Sequence, residues 1–145
     1  TALREIYPQL QHRTYAGITS FAAIAAHFDW PLGEGKERVL LLPCPEKMPA
    51  LRADILTHDL VVLMKIGRRL PQVLVLLEEL GITENCVFAQ RLGFAEERTS
   101  RGLADLSRDA ETGYLSTMLI RREAHQPRHQ MPTQPLGETL SEATG

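Results

Sequence analysis

The chain has 145 residues, 43% of them hydrophobic, and a formal net charge of −2. That length suits one domain with one core, and the charge balance offers neither a basic surface for nucleic acid nor an acidic solvating block. The longest apolar stretches, such as 39–42 and 60–64, are too short to span a bilayer, and no basic n-region marks a signal peptide.

Residues 1–7, TALREIY, read as the end of a helix already under way, and no initiator Met precedes them. We therefore expect a piece of a longer protein. Residues 11–16 are expected to be a short extended segment between Pro8 and Gly17. A helix is predicted over 19–28, where Phe21, Ile24, Ala25 and Phe28 recur at helical spacing and Thr19 or Ser20 can cap the N-terminus. Trp30-Pro31 ends it. After the GEGKE loop, RVLLLP at 38–43 is too short for a helix and apolar enough for a strand covered on both faces.

Residues 49–57 form a predicted helix with Pro49 in its first turn, and 60–66 a second doubly covered strand. A helix over 68–80 follows, with Leu70, Val73, Leu74 and Leu77 as its apolar stripe and Gly81 as its stop. CVFAQR at 86–91 is a third core strand, 92–113 reads as loop, and LSTMLIRR at 115–122 as a last strand. From 124 to 145 the chain turns rich in Pro, Gln, Thr and Gly without apolar periodicity, the composition of a disordered tail. Strand and helix alternate three times. This predicts an α/β domain of three layers, with a mixed, mainly parallel sheet of about five strands flanked by helices. Ligands of such sheets bind beyond the carboxyl ends of the strands, here at 16–20, 64–67 and 89–93.

The side-chain chemistry is sparse. A turn through Gly17 into a helix N-terminus can present N–H groups to an anion, or serve as a plain connection. In LMKIGR at 63–68, Gly67 permits close backbone approach, Met64 suits an apolar pocket or the core, and Lys65 is either a solvated cation or, if desolvated, a base. Glu96, Glu97 and Arg98 read as solvated surface. The five histidines and the two cysteines show no metal spacing, so Cys44 and Cys86 read as reduced, partly buried thiols of a cytoplasmic protein. No GxSxG or activated Cys/His arrangement is present.

Five segments carry a resemblance: GITSFAAIAA (17–26), WPLGEGKERVLLLP (30–43), LVVLMKIGRRLPQV (60–73), VFAQRLGFAEERTSRGLADL (87–106) and YLSTMLIRR (114–122). In this order they resemble the C-terminal half of the tetrapyrrole (corrin/porphyrin) methyltransferases. The resemblance implies two α/β domains with S-adenosylmethionine between them, in a homodimer. Residues 1–123 would be the second domain, inactive alone, because the glycine-rich first turn and the Gly-Asp-Pro loop of the first domain are not in this chain. It implies C-methylation of a tetrapyrrole in cobalamin biosynthesis, first of all of precorrin-2 at C-20; the alternatives are C-20-methylation of cobalt-factor II and another tetrapyrrole methylase. By the same resemblance Gly17, Thr19 and Ser20 lie near the cofactor's amino-acid portion or ribose, and Met64 and Lys65 near its adenine. Ala89, Gln90, Leu92, Ser116, Thr117 and Met118 supply further contacts, many of them from the backbone. Ala16 and Lys36 depart from the family's pattern, which has proline and an acidic residue at those positions. No residue stands out as a general base. A reading of another class is a non-catalytic dimerisation module.

Overall fold

The structure is a computed structural model and describes residues 5–11 and 13–124. The expected tail, apart from Ala124, and the first four residues of the expected opening helix lie outside them. Among the described residues from Ser20 on, the helices α1 (Ser20–His27), α2 (Met48–Thr57) and α3 (Leu70–Glu79) accompany five strands. The strands are β1 (Val39–Pro43), β2 (Leu60–Met64), β3 (Cys86–Gln90), β4 (Arg98–Arg101) and β5 (Ser116–Arg121). They form one sheet in the order β1-β2-β5-β3-β4. No helix among the described residues is long and apolar enough to cross a membrane.

The mixed α/β sheet agrees with the expectation, and β1, β2 and β3 share one direction. The parallel share is smaller than expected when counted by ladders. β5 runs back between β2 and β3, so β1–β2 is the parallel ladder and the other three are antiparallel.

Strand alternation sorts the core into two faces. On one, Leu60, Val62, Val87, Ala89 and Leu119 pack with Ile24 and Ala25 of α1 and with Trp30. On the other, Val61, Leu63, Phe88, Met118 and Ile120 meet Leu51 and Ile55 of α2 and the predicted stripe of α3, giving the third layer. Cys86 is fully buried and Cys44 nearly so; burial pushes both thiols above the ordinary range, more strongly at Cys86, which keeps them unreactive.

Four local expectations are corrected. β1 is an edge strand with Leu41 exposed, because no strand among the described residues pairs on its far side and the helices do not cover it evenly. The segment 11–16 joins no ladder among the described residues. Thr19 is the N-cap of α1 without a capping side-chain bond; it is the neighbouring Ser20 hydroxyl that is engaged, accepting from Thr117 Oγ1 at 3.2 Å. Within the supposed loop 92–113, Arg98–Arg101 adds β4 to the edge beside β3, and Ala110–Gly113 forms a 3-10 turn.

The polar stretch 31–38 is held from the far end of the chain. Arg121, with a side chain only 3% exposed, donates from Nη1 to Glu37 Oε1 at 2.8 Å and from Nη2 to the Pro31 carbonyl at 2.7 Å. Next to it, Arg38 N–H donates to Asp59 Oδ2 at 2.8 Å, and Arg122 reaches Asp59 Oδ1 at 3.1 Å. The WPLGEGKER stretch is thereby latched to β5 and to the start of β2.

Candidate functional site

The carboxyl ends of β2 and β3, the amino end of β5 and the first turn of α1 converge on one cleft of about 790 Å³. Register explains its floor. Met64, Thr117 and Ala89 are direct cross-strand partners on β2, β5 and β3, and therefore share the α1 face of the sheet. Ala23 and Ile24 of α1 form the opposite wall. Small side chains at 23 and 89 leave the room, and the Ser20–Thr117 hydroxyl pair closes one corner.

The rim is built from unusual backbone. Lys65 follows β2 with φ +52°, Arg91 follows β3 with φ +50°, and Leu115 precedes β5 with φ +51°. Left-handed backbone costs a non-glycine residue roughly 1–2 kcal/mol. Three of the four such residues in the described chain lie on this cleft; the fourth, Asp29, follows α1. Backbone strain of this kind persists where the surroundings over-determine it, and the surroundings here are visible. Arg91 N–H donates to the Leu115 carbonyl at 3.0 Å. The buried Gln90 amide donates to the carbonyls of Glu111 (2.8 Å) and Tyr114 (3.0 Å), and Ser116 Oγ donates to the Gly113 carbonyl at 2.7 Å. Gly113 in turn lies directly on the Gly67 peptide. The strap 110–115 is thus pinned across the ends of β2 and β3.

Of the eleven site residues named from sequence, Ser20, Met64, Lys65, Ala89, Leu92, Ser116 and Thr117 line the cleft. Gly17 and Thr19 flank Ile18, which lines it too. Gln90 is buried beneath the strap as its anchor, and Met118 is fully buried among the residues facing α2 and α3. Sequence reasoning placed Arg91 inside the expected segment 89–93 without naming it as a contact, and missed Phe94, Gly113, Tyr114 and Leu115. Gly113 had a sequence signal, a glycine ahead of a strand, but its partner Gly67 is 46 positions away. The left-handed conformations of Arg91 and Leu115 leave no mark on residue type. A second groove, of about 910 Å³, is lined by Phe28, Trp30 and Arg101 and contains none of the eleven residues.

Comparison with known proteins identifies the family and the fold. The family model described as Tetrapyrrole (Corrin/Porphyrin) Methylases matches residues 1–106. The chain is 29% identical over 107 residues to a cobalt-precorrin-2 C(20)-methyltransferase of Salmonella typhimurium, covering 74% of this chain and 45% of that protein. The chain therefore spans about half the length of this curated relative. Among solved structures, the crystal structure of the methyltransferase CobJ superposes with a TM-score of 0.51 at 18% identity, covering 83% of this chain and 55% of that one, a likeness of fold. With the family model matching most of its length, the chain belongs to the tetrapyrrole (corrin/porphyrin) methylases.

Proposed function

We propose that this chain is the cofactor-holding half of an S-adenosylmethionine-dependent C-methyltransferase of cobalamin biosynthesis, acting on precorrin-2 or cobalt-factor II at C-20. The observation that carries the reading is the convergence of three strand ends on one cleft with Met64, Thr117 and Ala89 in register across its floor. The cleft's residues fit the cofactor. An apolar floor of Met64 and Ala89 suits a purine ring, and the Ser20 and Thr117 hydroxyls suit ribose or amino-acid oxygens. The name of the Salmonella relative favours the cobalt-bearing substrate, and the metal-free one belongs to the same reading.

When bound, S-adenosylmethionine supplies an already activated methyl group. The work left to this chain is to hold and orient the cofactor and to keep water from it. Exposed Ile18, Phe94, Tyr114 and Leu115 surround the mouth, an apolar rim suited to a covering surface. We assign that cover, and the substrate side of the cleft, to the part of the enzyme outside this chain. On this reading residues 1–123 form one domain, the enzyme is a cytoplasmic homodimer, and the chain alone does not turn over.

The test is calorimetric titration with S-adenosylhomocysteine, beside the variant Gly17→Val. A Cβ at Gly17 meets nothing within 4 Å, and its backbone is not left-handed. The variant should therefore melt as the parent does, within about 0.5 kcal/mol of its stability. If the turn faces the cofactor, affinity should fall by on the order of 1–3 kcal/mol. Unchanged affinity with an unchanged melt would make 17–20 a connection only, and absence of binding by the parent sequence would remove the cofactor reading.

A further inference from the structure

The groove lined by Phe28, Trp30 and Arg101 stands at the other end of the sheet from the cleft, beside the start of β3 and the end of β4. It is acidic. Three carboxylate side chains, Asp29, Glu34 and Glu84, line it against one cation, Arg101. Asp29 and Glu84 make no ion pair with any described residue. α1 ends at the groove, so the negative end of its dipole adds to the same potential. Arg101 does not neutralise the carboxylates. Its guanidinium carbon lies 5.6 Å from the Phe28 ring centre and 5.4 Å from that of Trp30, and its Nη2 donates to the Phe28 carbonyl. A metal ion does not answer this charge either. No group of three or more His, Cys, Asp or Glu among the described residues could hold one.

The groove also has a need that a bare cation cannot meet. Trp30 is 8% exposed, and its buried Nε1–H has no acceptor among the described residues. A buried donor left without a partner costs about 1–3 kcal/mol. A fitting occupant therefore brings positive charge, carbonyl acceptors and apolar surface for two rings. A basic stretch of polypeptide has all three, with a carbonyl at every residue. Such a stretch starts at the groove wall. Ala124 lines the groove, and residues 125–131, HQPRHQM, continue from it. They carry Arg128, His125 and His129, and the first carboxylate after Ala124 is Glu138. Pro127 and Met131 offer apolar surface to the aromatic rings. Seven extended residues reach up to about 23 Å, enough to cross the groove. With no apolar periodicity the segment builds no core of its own, and chain of that composition orders by binding. We propose that residues 125–131 dock in this groove, with Arg128 among Asp29, Glu34 and Glu84.

The test uses the full 145-residue chain with Gln130→Cys carrying a nitroxide spin label. Cys44 and Cys86 are buried with raised thiols, so the label attaches at position 130. Paramagnetic broadening is read on the amides of Phe28, Asp29, Glu84 and Arg101. It is also read on the indole N–H of Trp30, the one tryptophan of the chain. The same labelled chain is then measured with Arg128→Glu and with Arg128→Lys, after thermal melts have matched both to the parent. Docking predicts strong broadening in the parent, most of it lost with Arg128→Glu and kept with Arg128→Lys. A label merely tethered beside the groove broadens these signals equally in all three chains, and that result overturns the proposal. A second sample mixes isotope-labelled chain lacking the nitroxide with spin-labelled chain lacking the isotope. Broadening of the groove signals in that mixture places the segment in another copy of the chain and overturns docking within one. Groove signals left sharp in the mixture, beside broadening that follows the charge at 128, are the expected result.

Discussion

Gly113→Ala is expected to be among the most damaging single substitutions in this chain, although it adds one methyl group. A Cβ at position 113 would lie 1.9 Å from the Gly67 carbonyl oxygen and 2.7 Å from its carbonyl carbon. Both are backbone atoms, so no rotamer change relieves the overlap. The backbone at 113 is not left-handed, which makes close approach the sole reason for glycine there. Alanine must lift the strap 110–115 off the turn Gly67–Arg69. That strains the bonds from Gln90 to Glu111 and Tyr114 and from Ser116 to Gly113. Overpacking with partial loss of these bonds should cost roughly 2–4 kcal/mol. In a calorimetric scan this is a fall of roughly 6–15 °C in Tm. Gly93→Ala is the control: its φ is +86° but a Cβ there meets nothing within 4 Å, so its cost should be about 1 kcal/mol. A loss at 113 no larger than the loss at 93 would contradict the packing described.

Arg121→Ala should cost about 3 kcal/mol, the lower end of the range for removing one partner of a buried pair. The guanidinium is nearly inaccessible and Glu37, its partner, is 27% exposed, so the stranded carboxylate keeps some water. The Pro31 carbonyl loses its donor as well. Urea denaturation measures the cost; a loss under about 1 kcal/mol would reduce the pair to a surface ion pair. The same latch predicts an acid limb. The hydrogen bond from Arg121 is the main cause holding the Glu37 carboxyl below the ordinary glutamate range, against the opposing effect of burial. A carboxyl lowered in the folded state contributes stability that is complete above its ordinary pKa, about 4.3. That stability is lost as pH falls through the lowered folded value. Glu37→Gln should therefore flatten the fall of Tm below about pH 4. An acid limb equally steep in the variant would place the loss on other carboxyls.

The apolar runs at 39–42, 60–64 and 86–89 marked three strands because each is short and bounded by turn residues, and the stripe of α3 marked the layer behind them. β4 was not legible. RTSR has no apolar alternation, since an edge strand bonded to β3 through its backbone needs none. The coverage of β1 was over-read, because an apolar run does not distinguish a central strand from an edge. The insertion of β5 between β2 and β3 is a long-range choice that no local pattern encodes. At the site, strand ends could be placed from alternation, and the resemblance supplied Ser20, Met64 and Thr117. Leu115 stayed hidden because its place depends on backbone conformation, and Arg91, inside the expected segment 89–93, was not singled out for the same reason. Gln90 was named as a cofactor contact, and its bonds to the strap are not legible because a buried amide looks in sequence like any strand residue.

The most direct measurement of the central claim is an amide chemical-shift map of the isotope-labelled chain titrated with S-adenosylhomocysteine. The largest changes are expected at the ends of β2 and β3, the first turn of α1 and the start of β5. These are residues 18–20, 64–67, 89–92 and 113–117. Changes concentrated instead around Phe28, Trp30 and Arg101, in the groove outside this site, or an unchanged spectrum at saturating ligand, would contradict it.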